Sequence, residues 1–329
     1  MLGSMVAPED SVPKKPVSSA ILVVATLLLF LVWSHTFLAF EVLLAPKSGT
    51  APLDWLDLVV ARFAPVFVIS AVWCFGFRRR ESLAIVRRHP RRLVLSGLLS
   101  VAAYNCFLYY GMQQRVAGPI ASLLTTLSPL YLLVLGVVVL GEKLTWRKGL
   151  GLVLGMLGVV LIATTKQPAG GANVLAVVIT ALAPLSWSVH TTLTKPVTAH
   201  ASPVLWTYLA LLFGSLPFLF VPFFRGFDAF LRLDATDVAL VLYLSLFATV
   251  GGFAVWAWLL KHLPASTVGL TIFLNPPLTT GGKYVLSTFL PRSFAFSISP
   301  QEWIGGALSL AGVAIAVLRR RRAGSPARS

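Results

Sequence analysis

SSAILVVATLLLFLVWSHTFLAF, residues 18–40, decides what kind of molecule this chain is. It is as long as a helix needs to be to cross the hydrocarbon core of a bilayer, roughly 20 apolar residues. The 17 residues before it carry Glu9, Asp10, Lys14 and Lys15 and no apolar run. The stretch therefore reads as a first spanning helix and not as the core of a cleavable signal peptide. Nine further stretches meet the same test or come near it: 58–77, 93–113, 117–140, 149–165, 173–192, 204–224, 238–260, 266–289 and 303–318. Their connections are short, so the expected fold is an all-α integral membrane protein, one helical bundle of ten transmembrane helices with no soluble domain. Only the tails, 1–17 and the basic 319–329, are expected to be disordered.

Composition agrees. The chain is 57% hydrophobic, its mean hydropathy is +0.84, and 12% of its residues are charged, against about 25% in ordinary soluble domains. So much apolar surface cannot be buried around one core in water. The net charge of +16 would suggest nucleic acid in a soluble protein; here it reads as basic loops beside anionic lipid. Cys74 and Cys106 fall inside apolar stretches and support neither a disulfide framework nor a metal site.

Lysine and arginine set the orientation. With the N-terminus inside, cytoplasmic segments hold Lys14 and Lys15, then Arg78, Arg79, Arg80, Arg87, Arg88, Arg91 and Arg92, then Lys143, Arg147 and Lys148, then Lys195, Lys261 and the tail from Arg319. The opposite side holds only Lys47, Arg115, Lys166, Arg225, Arg232 and Arg292. Both termini are expected in the cytoplasm. A compact chain without a presequence is expected in a prokaryotic inner membrane.

Ten helices in two halves of five give the halves opposite topology, the inverted repeat of many secondary transporters. Traces of it are present. Leu127-Ser128-Pro129 in the fourth span is answered by Leu274-Asn275-Pro276 in the ninth. Gly151 and Gly158-Val159 in the fifth are answered by Gly305 and Gly312-Val313 in the tenth, at the same spacing of seven. The expected units are 18–166 and 167–318.

These residues resemble the EamA-type branch of the drug/metabolite transporter superfamily over nearly the whole chain, from Ala20 to Leu318. The most specific part is Tyr104-Asn105-Cys106-Phe107-Leu108-Tyr109-Tyr110-Gly111-Met112, then Leu127-Ser128-Pro129-Leu130, then Leu140-Gly141-Glu142-Lys143-Leu144. Leu185-Ser186-Trp187-Ser188, the Trp256-to-Ala265 stretch and Arg62-Phe63 add to it. The resemblance implies ten helices, inverted repeats, a central cavity lined by both halves and alternating access. Family members mostly export amino acids and other small metabolites; some move drugs, nucleotide sugars or sugar phosphates. Two departures stand out. The Trp-Gly pair usual in the first span is Trp33-Ser34 here, and the Leu-Gly-Glu end of the fourth span has no counterpart after the ninth, which reads Leu286-Ser287-Thr288-Phe289-Leu290-Pro291.

Polar groups inside a span cost free energy unless buried in protein or wet, so they are the place to look for a site. Thr267, Thr271, Asn275, Thr279 and Lys283 recur at steps of four along the ninth span, a stripe expected to face inward. Lys283 could bind a substrate carboxylate or phosphate, or snorkel to the headgroups. His35 and His190 could contact substrate or relay protons, or pack as hydrogen-bonded residues. Trp33, Tyr104, Tyr109, Trp187, Trp256 and Trp258 could line a cavity for neutral or zwitterionic amphipathic solutes, or form interfacial belts. Asn105 could bind substrate or pin the third span. Pro129 and Pro276, at matching repeat positions, could act as gating hinges or static bends. Gly151, Gly155 and Gly158 read as close packing within the bundle ahead of a dimer seam. Arg62 reads as an interfacial anchor or a partner of Asp57, and Glu142 as a structural ion pair.

Walker, HExxH and GxSxG motifs are absent, and no pair of carboxylates sits mid-span. The expected function is a secondary transporter, not an enzyme, exporting small metabolites such as amino acids without a cofactor. The expected partners are a small-molecule substrate and membrane lipid, with no nucleic acid, in a monomer or weak dimer. The rivals are an organic-cation or drug exporter and an intramembrane lipid-modifying enzyme or scaffold.

Overall fold

The computed structural model describes residues 17–43, 53–114, 124–164, 174–289 and 299–317. Every regular element among them is helical. The tails and the expectations drawn on them lie outside the described residues, as does the side chain of Lys283.

The first half runs α1 (Ser19–Leu43), α2 (Trp55–Ala71), α3 (Arg79–Arg88), α4 (Pro90–Gly97), α5 (Tyr104–Gln113), α6 (Ser128–Val138) and α7 (Trp146–Thr164). The second runs α8 (Val174–Thr198), α9 (Pro203–Ser215), α10 (Val221–Arg225), α11 (Asp228–Leu231), α12 (Ala235–Leu242), α13 (Gly252–His262), α14 (Ala265–Leu270), α15 (Asn275–Phe289) and α16 (Pro300–Val317). Wide π-helical turns extend α2 through Val72–Phe77 and join α4 to α5 at Leu98–Ala103 and α12 to α13 at Tyr243–Gly251. Among the described residues six continuous helical stretches are long and apolar enough to cross a membrane: Ser19–Phe40, Trp55–Phe77, Pro90–Gly111, Val174–Thr198, Pro203–Arg225 and Ala235–His262. Large apolar side chains such as Leu28, Val68, Leu157 and Phe247 point outward, which suits lipid and not water.

Caps mark where these helices begin. The Asp54 carboxylate accepts from Leu56 N–H at 3.1 Å ahead of α2. Asp234 and Asp237 form a reciprocal capping box ahead of α12. The basic stretch 78–92, expected as a loop, contains α3, whose Ser82 hydroxyl donates to Cys74 O at 2.8 Å and folds it back on the end of α2.

The two proline positions are breaks and not kinks. Pro129 stands in the first turn of α6, just after a turn at 126–127. Pro276 stands in the first turn of α15, after a tight 3-10 turn at Thr271–Leu274. Proline has no N–H to give the preceding turn, so it starts a helix more easily than it continues one.

The most extensive contact between elements joins α7 to α16. It is glycine on glycine: a Cβ at Gly151 would meet the carbonyl oxygen of Gly312 and vice versa, and Gly158 and Gly305 stand in the same reciprocal relation. The glycine face of α7 is thus used inside the chain, with Gly155 against the Phe273 ring.

Candidate substrate cavity

A cavity of about 110 Å³ lies where α1, α2, α5, α8, α13 and the two proline breaks converge. Trp33, Thr36 and Phe40 come from one face of α1, Arg62 from α2, and Tyr104, Asn105 and Tyr109 from α5. Thr125, Thr126 and Ser128 come from the first break, and Ile272, Asn275, Pro276 and Thr279 from the second. Trp187 and Phe253 close it. Arg62 is eight residues into α2 from its cap, roughly 12 Å at 1.5 Å per residue, so the cavity sits toward the end of the bundle where Arg225 pairs with Asp54 at 2.8 Å.

The apolar wall is a set of rings in edge-to-face and tilted contact. Trp33 meets Trp187 at 5.7 Å between centroids, and Trp187 meets Phe253 at 4.9 Å and Tyr104 at 5.8 Å. The Trp33 indole N–H donates to Ala248 O at 2.8 Å, and Gly252 leaves room for the same ring. Ser34, in place of the expected glycine, is fully buried and its carbonyl accepts from the Thr279 hydroxyl at 3.0 Å.

The polar wall centres on Arg62, whose residue is 8% exposed. Its Nε donates to Thr249 Oγ1 at 3.0 Å, and Nη1 donates to the Tyr109 hydroxyl at 3.3 Å. Thr249 is held as an acceptor because its own proton goes to Leu244 O at 2.7 Å, across the wide turn before α13. The guanidinium carbon sits 5.7 Å from the Phe40 ring centre and 5.2 Å from that of Phe63. Among the described residues no carboxylate reaches the guanidinium, and neither proton on Nη2 has an acceptor. The expected partnership with Asp57 is not made: five residues apart on one helix is about 140° around the axis. A second unfilled group faces the cation's cavity. Asn275 Oδ1 is buried and accepts no hydrogen bond from the described residues.

Of the residues singled out in the sequence, Trp33, Tyr104, Asn105, Tyr109, Trp187, Asn275, Thr279 and Pro276 line this cavity. Trp256 and His190 stand behind the wall. Trp256 donates to Thr191 Oγ1 at 3.2 Å, and His190 Nδ1 lies 2.8 Å from Ser96 Oγ and 3.0 Å from Ser96 O. His35 turns back on α1, with Nδ1 2.7 Å from Leu31 O. Pro129 is buried beside Ser128 without joining the lining. Arg62, expected as an anchor or a partner of Asp57, lines the cavity instead; the cue that points there is that no acidic residue shares its helix face.

A second polar cluster lies at the other end of the bundle. Gly141, at φ +65°, ends α6 in the left-handed region and turns Glu142 across to α14. Glu142 accepts from Ala265 N–H at 2.5 Å, Ser266 N–H at 3.2 Å and the Ser266 hydroxyl. Lys148 Nζ completes it, 3.3 Å from Glu142, 2.6 Å from Ser266 Oγ and 3.2 Å from Lys143 O. Lys195 Nζ donates to the carbonyls of Leu260 and Leu263 alongside.

A bundle of lipid-length apolar helices around a small mixed aromatic and polar cavity defines a multi-pass membrane transporter of small molecules. The sequence profile of the EamA-like transporter family matches the chain twice, over residues 18–164 and 174–318. The chain belongs to that family. Among its relatives is a probable terminal-alkyne amino-acid exporter of Streptantibioticus cattleyicolor, 28% identical over 92% of this chain and 97% of the relative. A probable amino-acid metabolite efflux pump of Escherichia coli (strain K12) is 22% identical over 77% of this chain and 82% of that one. A solved crystal structure shares the fold with a TM-score of 0.70 at 18% identity, covering 91% of this chain and 97% of that chain.

Proposed function

We propose that the chain is a secondary exporter of small metabolites such as amino acids, working by alternating access. In this reading ten helices cross the membrane as two inverted five-helix units, 18–166 and 167–318, with both termini in the cytoplasm. The observation that carries it is the cavity itself, which is built from both family matches and framed by the two proline breaks. The reciprocal Gly151–Gly312 and Gly158–Gly305 contacts are what an axis relating two inverted units would leave where it passes between them. The breaks at Pro129 and Pro276 free backbone groups beside the cavity and supply hinges at which either half can bend. The names of the relatives favour amino acids as cargo.

Counterflow in proteoliposomes tests the proposal. Vesicles loaded with one unlabelled solute at a time, from amino acids, nucleosides, sugar phosphates and quaternary amines, are expected to accumulate labelled neutral amino acid saturably. Exchange of quaternary amines alone would favour an organic-cation exporter, which the aromatic wall suits and the Arg62 cation opposes. Exchange of no solute on the panel would remove the proposed cargo. Lys283→Ala belongs in the same series, because a lysine in the ninth span would compete with Arg62 for an acidic group.

A further inference from the structure

Arg62 and Asn275 are unfilled in opposite senses. The guanidinium offers N–H donors and a positive charge with no carboxylate to answer it among the described residues. The Asn275 amide offers a buried oxygen with no donor among the described residues. Both line one cavity of about 110 Å³. Leaving a buried charge and a buried acceptor unpaired is costly, and neither group is loosely placed. Thr249 and Tyr109 hold the guanidinium from one side, and the 3-10 turn at Thr271–Leu274 delivers Asn275 to the wall.

We propose that this pair reads a zwitterion: Arg62 takes the substrate's carboxylate and Asn275 Oδ1 accepts from its amino group. The inference rests on the transport reading and narrows it to small α-amino acids with both groups free. The Tyr109 hydroxyl accepts from Arg62, so its own proton is available to the same carboxylate, giving that group a charged and a neutral donor side by side. Trp33, Trp187 and Phe253 leave an apolar surface for a short side chain. An apolar cavity of about 150 Å³ holds a benzene ring, so this one is scaled to a molecule of few heavy atoms. The Arg62 charge also sets what is refused. A cation without a carboxylate meets an unneutralised guanidinium, and that repulsion excludes simple amines.

Binding to the purified full-length protein in detergent, followed by calorimetry, tests this apart from transport. The probes are L-alanine, propionate (no amino group), ethylamine (no carboxylate) and the other common α-amino acids. Wild type is expected to bind L-alanine or another small amino acid at least about tenfold more tightly than either truncated probe, the size expected for one charge-assisted hydrogen bond. Arg62→Gln is expected to lose that advantage over ethylamine, and Arg62→Lys to regain part of it. Asn275→Leu is expected to lose the advantage over propionate while leaving propionate binding unchanged. Circular dichroism and melting of each variant show that it is folded. Unchanged amino-acid affinity in folded Arg62→Gln, equal binding of ethylamine and L-alanine by wild type, or no binding of any common α-amino acid overturns the proposal. Counterflow separates the two readings: exchange that survives in Arg62→Gln removes the zwitterion site and leaves the transporter, whereas binding as described without exchange removes the transporter and leaves the site.

Discussion

At one end of the bundle Glu142 accepts four hydrogen bonds, from Ala265, twice from Ser266 and from Lys148, and Lys148 spends its other protons on Ser266 and Lys143. In the cavity Arg62 makes two with the described residues, to Thr249 and Tyr109, and the rest of its fork has no partner among them. Both are charges in an apolar bundle, and both tie the first family match to the second. They differ in completion. A buried charge whose partners are all protein groups contributes to the fold; one whose partners are missing costs stability and is retained for what fills it from outside. The Leu140-Gly141-Glu142 motif is therefore a fastening between the halves, and the Arg62-Phe63 motif carries the proposed receptor.

The largest expected effect comes from breaking the completed cluster. Glu142→Ala leaves Lys148, 8% exposed, without its counter-charge, and strands the first amides of α14. Removing one member of a buried pair costs about 3–5 kcal/mol, so the variant is expected to melt far below wild type in detergent or to fail to accumulate. Arg62→Met is expected to behave in the opposite way. It gives up two hydrogen bonds, each worth about 1 kcal/mol net, and relieves a buried unpaired charge. Its melting point should stay near wild type or rise while amino-acid exchange is lost. If Arg62→Met destabilises as much as Glu142→Ala, the distinction between fastening and receptor fails.

The same distinction explains what could be read in the sequence. The six long apolar helices and the proline and glycine positions were legible because each is a local property: length, hydropathy, or a residue that cannot continue a helix. Eight candidate site residues reach the cavity, six of them aromatic or amide groups, which in mid-span have few other places to go. His190 and Trp256 looked equally promising, yet Ser96 and Thr191 on neighbouring helices take up their polar atoms. Nothing in their own spans announces those partners. Arg62 was hidden by the reverse error, since Asp57 is near in sequence and on the wrong side of the helix. The wide turn at Tyr243–Gly251, which brings Thr249 to Arg62, leaves no mark in hydropathy.

Acid sharpens the contrast with a smaller effect. Burial raises the Glu142 carboxyl, but hydrogen bonds from Ser266 and Ala265 and the charge of Lys148 outweigh it, so the group lies below its ordinary value of 4.5. A carboxyl lowered on folding contributes stability that is fully present above its unfolded value and is lost as pH falls through the folded one. Wild type is therefore expected to lose thermal stability below about pH 4.5. Glu142→Gln, already destabilised, is expected to show a flatter profile there. Equal slopes for the two proteins would show that Glu142 is not the group being titrated.

The smallest effect is expected where a charge is neither buried nor starved of partners. Arg225 and Asp54 meet at 2.8 Å with side chains 40% and 28% exposed, close to the cavity end of α2. Water and salt screen both, and each can exchange its partner for solvent. Exposed pairs of this kind are worth about 0–1 kcal/mol, so Arg225→Ala should shift melting by less than Arg62→Met shifts amino-acid affinity when both are put on one energy scale. The residual shift should shrink further between low and high salt. A loss as large as that of Glu142→Ala would mean that the Asp54–Arg225 contact closes the cavity end as Glu142 closes the other, and that the bundle is fastened at both ends and not at one.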